Sequence, residues 1–169
     1  MCKFPFDFIH IDTRGPFSVP TLDGFRYILT IVDDCTRTIW VYLMKHNFDV
    51  KFLLETFFTM VETQFHCKIK SLRSDNAPEF ELKNFLAPQG TLHQHSCVGT
   101  PQQNSVVERK HQHLLAVARA LKFESNIPIH FWVDCDLTSV PLINRSPSPL
   151  LNNRSPYEPL FQPSHPTLI

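Results

Sequence analysis

The order of strand-like and helix-like segments constrains the fold of this chain more than any other feature. The beginning of the chain is rich in β-branched and aromatic residues, which predicts three strands, over residues 6–12, 25–33 and 38–44. The period then changes, because Leu53, Phe57, Val61 and Phe65 recur every four positions, as on one face of a helix. Residues 48–65 are therefore predicted to form an amphipathic helix that packs on the sheet.

Strands and helices alternate in the rest of the chain. The predicted elements are a strand over residues 69–74, a short helix over 78–86, a strand over 92–98, a helix from Thr100 and a helix over 128–144. Pro141 falls inside the last helix and is expected to kink it or end it early. This order predicts an α/β fold with a mixed five-stranded sheet flanked by helices.

Proline and serine become frequent after residue 145, so the chain is predicted to run extended over the surface there. The expected organisation is one core over residues 5–145, followed by a Pro/Ser-rich C-terminal extension over residues 146–169. No internal repeat or low-complexity tract is present in the sequence.

Composition limits the class of protein. Hydrophobic residues make up 43% of the 169 residues and include 15 Phe, which suffices for one globular domain. Lys plus Arg and Asp plus Glu number 16 each, so the chain does not have the basic balance typical of a free-standing nucleic-acid binder. The five widely spaced Cys, without a C-x-x-C pair, indicate reduced thiols. The sequence contains neither an apolar run of membrane-spanning length nor a signal-peptide pattern, so we expect an intracellular protein.

Three carboxylates occupy positions from which they could act together. Asp12 ends the first predicted strand, Asp75 ends the fourth, and Glu108 lies in the second turn of the long helix. Functional groups of α/β sheets gather beyond strand ends, so the two aspartates are expected close together, with Glu108 on a helix that crosses this edge. Such a cluster needs cations to offset its repulsion, and its hard oxygens suit Mg²⁺ or Mn²⁺. The pattern alone leaves open a purely structural role, since aspartate is common in turns.

The segments around these carboxylates carry longer motifs. Asp12 lies in IHIDTRGPF, Asp75 in LRSDNAPEF, and Glu108 in TPQQNSVVERKHQHLL. IVDDCTRTIWVYLM and FW…LINRSPSPLLNNRSPYEPLF accompany them. Together they resemble, in the same order, the integrase catalytic core of copia-type LTR retrotransposons, in the retroviral integrase superfamily. The second and third motifs are similar to the family's R-S/T-D-N-G-x-E-F and T-P-Q-Q-N-G-x-x-E-R, and the likeness runs from about residue 5 to residue 163.

This resemblance implies an RNase H-like fold and a D,D,E triad of Asp12, Asp75 and Glu108 that binds two Mg²⁺ or Mn²⁺ ions. The implied reactions are 3′-end processing of element DNA and transfer of the new 3′-hydroxyl to a phosphodiester of target DNA. The implied partners are element ends, target DNA and further copies of the chain, with no membrane involved. A nuclear location is expected from this function, although the sequence carries no clear targeting signal.

Departures from the family pattern support an alternative function. Ala77 and Pro78 stand where the family has Gly-x; Gly allows backbone angles that they disfavour, so a displaced Asp75 turn is expected. Ser105 replaces another Gly. The zinc-binding and C-terminal DNA-binding regions of complete integrases have no counterpart in the sequence, which indicates a fragment or a decayed copy. The alternative is therefore a catalytically inactive remnant that binds nucleic acid or protein.

Several polar residues near the second and third carboxylates are candidate DNA contacts, namely Arg109, Lys110, Arg73, Gln103 and Asn104. The alternatives are a solvated helix face for Arg109 and Lys110, although the nearby carboxylates favour phosphate contact, and a solvent-facing strand position for Arg73. For Gln103 and Asn104, helix-start polarity is an equally good explanation.

Other polar residues are assigned structural roles. His93 and His95 alternate along one strand, and a structural role is favoured over a metal site. Glu79 is interpreted as a helix-start acid, with replacement of a lost ligand as the alternative. Asp33 and Asp34 are predicted to be turn residues, and the two tryptophans, Trp40 and Trp132, are assigned to the core.

Overall fold

One mixed sheet organises the protein. The computed structural model describes residues 2–95 and 105–161. Its strands are β1 (Phe8–Arg14), β2 (Tyr27–Asp33), β3 (Ile39–Met44), β4 (Ser71–Ser74) and β5 (Leu92–His95). Their order in the sheet is β3-β2-β1-β4-β5, with β1 antiparallel to β2, β2 antiparallel to β3, and β4 parallel to both β1 and β5.

Helices cover the two faces of this sheet. They are α1 (Val50–Phe65), α2 (Lys83–Gln89), α3 (Ser105–Ser125), α4 (Trp132–Arg145) and α5 (Tyr157–Phe161). The predicted α/β class, with a mixed five-stranded sheet flanked by helices, is therefore confirmed. None of the helices in the described residues has both the length and the apolar character needed to cross a membrane.

The main core lies between the sheet and α1. Ile9 and Ile11 of β1 are fully buried there, together with Leu54, Phe57 and Val61 of α1. The four-residue spacing in α1 places its large apolar side chains on one face, as the sequence predicts. Because successive residues of a strand point to opposite faces, His10 and Asp12 point away from this core, towards α3.

Helices α3 and α4 pack on the other face. Val107, His111, Leu114 and Ala118 are buried along α3 at helical spacing. A buried amide fixes α4 to the edge strand β3. The backbone N–H of Ile39 donates to Asn144 Oδ1 at 2.9 Å, and Asn144 Nδ2 donates to the Ile39 carbonyl at 2.8 Å. The amide thereby satisfies backbone groups that an edge strand otherwise leaves unpaired.

Two helix predictions need correction. Pro141 does not end α4, which continues to Arg145, because packing of Val133 and Ile143 offsets the hydrogen bond that proline cannot donate. The single helix predicted over residues 78–86 is instead a 3₁₀ turn, Pro78–Phe80, followed by α2.

The prediction of an extended chain after residue 145 is wrong for much of the segment that the structure describes. A 3₁₀ turn at Pro149–Leu151 and helix α5 form there, and Leu160 is buried in the main core. The Thr38 hydroxyl also donates to the Pro156 carbonyl at 3.1 Å. The start of the helix at Thr100 and the end of the strand predicted over residues 92–98 lie outside the described residues.

Candidate active site

Asp12 lies near the carboxyl end of β1 and is held on two sides. Its Oδ1 accepts the backbone N–H of Thr13 at 3.0 Å, and its Oδ2 lies 3.3 Å from Nδ1 of His111 on α3. The Asp12 side chain is 18% exposed, so solvent can reach it. His111 is buried and therefore restricts the orientation of the Asp12 carboxylate.

Asp75 follows the last residue of β4. Because β1 and β4 are parallel, with His10 opposite Arg73, the register carries Asp12 and Asp75 to the same edge of the sheet. Burial raises the pKa of Asp75, the hydrogen bond from the Ala77 backbone opposes this, and the negative charges of Asp12 and Glu79 raise it further. Asp12 and Asp75 are thus close enough for their charges to interact, as the strand-end pattern predicts.

The turn after Asp75 accommodates the residues that replace the family's Gly-x. Ala77 has φ −68° and ψ 146°, an extended conformation open to any residue and favoured before proline. Its N–H donates to Asp75 Oδ1 at 3.0 Å, which closes the turn around the carboxylate. Ala77 thus fits this turn without a left-handed angle, and displacement of Asp75 relative to the family stays a prediction.

Glu79 adds negative charge to the edge of the sheet where Asp12 and Asp75 lie, which is called the acidic edge below. Its Oε1 accepts the Thr13 hydroxyl at 3.0 Å and the Asn47 amide at 2.5 Å. Glu79 therefore ties the residue after Asp12 to the turn after Asp75. The helix-start interpretation is correct in position, since Glu79 lies in the first turn of the 3₁₀ segment, but it missed these two partners.

Glu108 is solvent-exposed in the first described turn of α3, one turn before His111. Within residues 2–95 and 105–161, no three His, Cys, Asp or Glu side chains are grouped so that they could hold a metal ion. The structure thus brings Asp12 and Asp75 together but does not add Glu108 to them. The donor chemistry of the pair fits a hard divalent cation, because two carboxylates that repel each other gain from a shared positive charge.

The candidate DNA contacts have different surroundings. Arg109 is exposed and donates to the Ser105 carbonyl and hydroxyl at 3.0 and 3.2 Å. Burial first, and then the charge of Arg37, lower the pKa of Lys110 to about 8. Arg73 lies 4.8 Å from the centre of the Phe8 ring and donates to Gln94 at 2.6 Å. Gln103 and Asn104 lie outside the described residues.

The two histidines of β5 share one side of the strand, with ring centres 4.0 Å apart. Nε2 of His93 lies 2.9 Å from the Ser74 hydroxyl, and Nδ1 of His95 lies 3.3 Å from the Asp75 carbonyl. Burial, and secondarily the charge of His95, lower the pKa of His93 to about 4. The pair thus supports the backbone around Asp75.

The sequence predicts Asp33 and Asp34 as turn residues but does not predict the hydrogen bonds and ion pairs that they form. Asp33 is completely buried and accepts the backbone N–H groups of Phe6 and Thr36 at 2.8 and 2.7 Å. Asp34 pairs with His10 at 3.3 Å and Arg37 at 3.1 Å, and the hydrogen bond from His10 is the largest cause that lowers its pKa. They lie at the turn between β2 and β3 and also tie it to β1 and the residues before it. The polar run shows the turn, but their partners depend on the tertiary fold.

The two tryptophans are only partly buried. Trp40 packs against the main core, which agrees with its assignment. Trp132 lies at the start of α4 and donates from its indole nitrogen to the Val19 carbonyl at 2.8 Å.

Comparisons with known proteins agree with this fold. Residues 4–101, more than half of the chain, match the family described as "Integrase core domain". The retrovirus-related Pol polyprotein of transposon TNT 1-94 from Nicotiana tabacum is 34% identical over 84% of the chain. Those of transposons RE2 and RE1 from Arabidopsis thaliana are each 36% identical over 93% of it. The chain spans 11% of the length of each of these relatives.

Solved structures extend the likeness to the fold. A chain of the simian T-cell lymphotropic virus intasome in complex with PP2A regulatory subunit B56 gamma matches with a TM-score of 0.74 at 13% identity, covering 96% of this chain and 57% of that one. The catalytic core domain of HTLV-2 integrase, solved with magnesium in a trimeric form, matches with a TM-score of 0.65 at 13% identity, covering 91% and 95%. The fold is thus the RNase H-like fold of integrase cores.

The class of protein that fold and site define is a retroelement integrase catalytic core. The chain belongs to the integrase core domain family, within its retrotransposon members.

Proposed function

We propose that this chain is the polynucleotidyl transferase core of a copia-type retrotransposon integrase, which processes the 3′ ends of element DNA and joins them to target DNA. The observation that carries the proposal is the convergence of Asp12 and Asp75 at the carboxyl edge of two neighbouring parallel strands. Relatives that are Pol polyproteins of retrotransposons support the same reading.

Asp12, Asp75 and Glu108 are the residues that would hold Mg²⁺ or Mn²⁺, the first two by geometry and the third by family resemblance. Bound ions would supply positive charge that activates an attacking oxygen and stabilises a leaving oxygen at phosphorus. The protein's own part is to orient the carboxylates. His111 and the Thr13 backbone hold Asp12, the Ala77 backbone holds Asp75, and Glu79 ties the two segments together.

DNA is the proposed partner, with Arg73, Arg109 and Lys110 as contacts, and Gln103 and Asn104 proposed on the sequence motif alone. Self-association is proposed as well, because a related solved core is trimeric. A nuclear location follows from the proposed reaction.

A second candidate is a catalytically inactive remnant that binds nucleic acid or protein. It is favoured by the position of Glu108, which lies outside any metal-holding group in the described residues. It is favoured too by the contact of His111 with the Asp12 oxygen that a cation would otherwise take.

A disintegration assay tests the leading proposal, with the chain resealing a branched DNA substrate in Mn²⁺. We expect activity in the unaltered chain and its loss, by a factor of about 100 or more, in Asp75→Asn and Glu108→Gln, because the variants retain shape but lose charge. Asp23→Asn is the matched control, since Asp23 is an exposed loop carboxylate. A folded chain that is inactive and binds no Mn²⁺ in calorimetry would favour the remnant.

A further inference from the structure

A second concave site lies beyond the carboxyl end of β1, between α3, the start of α4 and the loop after β1. It is a cavity of about 270 Å³ with apolar walls that include Leu115, Ala118 and Ile129. Phe17 and Trp132 form an aromatic wall, with ring centres 4.1 Å apart. The volume falls just below the usual range for small-molecule pockets, about 300–1,000 Å³, so it suits one flat ring system.

A buried carboxylate lines this cavity, and the charge of Arg14 only partly offsets its burial. Asp136 of α4 is 6% exposed, and its carboxylate makes no hydrogen bond or ion pair with another described residue. Burial raises the pKa of Asp136 to about 6, opposed by the charge of Arg14. Burying a carboxylate that accepts no hydrogen bond is costly, so the cavity favours a ligand with N–H donors.

The remaining charged lining is cationic. Arg119 and Lys122 of α3 border the same cavity. They disfavour a simple cation as the ligand, whereas Asp136 disfavours a simple anion. A nucleotide satisfies both conditions, because its base offers amino and imino N–H groups while its phosphate is anionic.

Arg14 links this cavity to the candidate active site. It lies two residues after Asp12 on β1, and its guanidinium interacts electrostatically with both Asp136 and Asp12. A DNA strand that reaches Asp12 would therefore pass beside the cavity. This step rests on the proposed function, which is what brings DNA to Asp12.

We propose that this cavity binds one unstacked base of a DNA strand. Phe17 and Trp132 provide the stacking wall, Asp136 accepts N–H groups from the edge of the base, and Arg119 and Lys122 bind adjacent phosphates. Guanine fits best, because its two neighbouring N–H donors match the two oxygens of a carboxylate. Thymine, with a single N–H between two carbonyl groups, fits worst.

The test uses the full chain and fluorescein-labelled oligothymidylates that carry dG, dT or an abasic site at one central position. Binding is read by fluorescence anisotropy in EDTA, so that no metal and no catalysis is involved. The dG strand is expected to bind at least about fivefold more tightly than the abasic strand, the lower bound for stacking one base. Asp136→Asn is expected to abolish the preference for dG over dT, and Arg119→Gln to weaken binding of all three strands.

Asp134→Asn is the matched control, because Asp134 is exposed on the same helix and does not line the cavity. Equal binding of the dG and abasic strands would overturn the proposal, as would equal effects of Asp136→Asn and Asp134→Asn. Binding of free dGMP as tightly as the dG strand would overturn the assignment to DNA. The binding measurement contains no metal and is therefore independent of catalysis. If the chain prefers dG but shows no disintegration activity, the proposed catalytic function is refuted and the base-binding proposal stands.

Discussion

At the scale of the residue, the buried Asp136 carboxylate sets a pH dependence of stability. Its pKa of about 6 in the folded protein exceeds the ordinary value of 3.8, so folding favours the protonated form. The resulting penalty is therefore full above about pH 6 and fades as the pH falls towards about 4. The charged groups that face it are Arg14 from β1 and Arg119 and Lys122 from α3.

We predict that Asp136→Asn raises the free energy of unfolding near neutral pH by up to about 2 kcal/mol. The gain should be clearly smaller at about pH 4.5, and it should vanish only below about pH 3.8, where the carboxyl is protonated in the unfolded chain as well. Urea denaturation at both pH values measures it. A gain that is the same at both pH values, or is matched by Asp134→Asn, would contradict the prediction.

The candidate site was predictable from sequence in part, for reasons that differ among its residues. Asp12 and Asp75 end strands, and a parallel pair brings strand ends to one edge, so pattern alone predicts their approach. The placement of Glu108 depends on the rotation of α3 about its axis, which distant packing at Leu114 and Ala118 sets. Asp136 resembles any helix-surface acid in the sequence, and only the tertiary fold buries it.

At the scale of the element, the residue that caps the C-terminus of α1 adopts a conformation that its side chain disfavours. His66 has φ 53° and ψ 32°, the left-handed region, and its N–H donates to the Glu62 carbonyl at 3.2 Å. We predict that His66→Gly raises the free energy of unfolding by about 0.5–1 kcal/mol, because glycine adopts this region without a Cβ penalty.

Gln64→Gly, two residues earlier on the exposed side of α1, is the control for this substitution. It should lower the free energy of unfolding by up to about 0.5–1 kcal/mol, because glycine has a lower helix propensity than glutamine. Chemical denaturation of both variants gives the comparison. If both substitutions lowered stability, the explanation by backbone conformation would fail.

Element boundaries were predicted well where one period dominates and poorly where proline intervenes. The strand patterns located β1 to β4 within two residues, because one buried face of each strand is continuous. The prediction that Pro141 kinks α4 or ends it early considered the lost backbone hydrogen bond but not the packing of α4 against the rest of the protein. Ala77 adopts an extended conformation in the turn after Asp75, which does not use the angles that glycine provides.

At the scale of the whole molecule, the segment after residue 145 contributes to the stability of the main core. Leu160 is 8% exposed within that core, while Leu150 of the same segment is 75% exposed. We predict that Leu160→Ala lowers the free energy of unfolding of the whole chain by about 2–3 kcal/mol in a single transition. Leu150→Ala should change it by less than about 0.5 kcal/mol. A small loss for Leu160→Ala would instead mark residues after 145 as an independent extension.

The sheet order also determines when the acidic edge can exist. Strands β1 and β4 are neighbours in the sheet, yet β2, β3 and α1 separate them along the chain. A nascent chain that has emerged only as far as α1 therefore carries Asp12 without Asp75. Contacts of such long sequence separation form slowly, so we expect the aspartate pair to assemble late in folding. An ion bound there would slow unfolding of the finished protein without speeding its assembly.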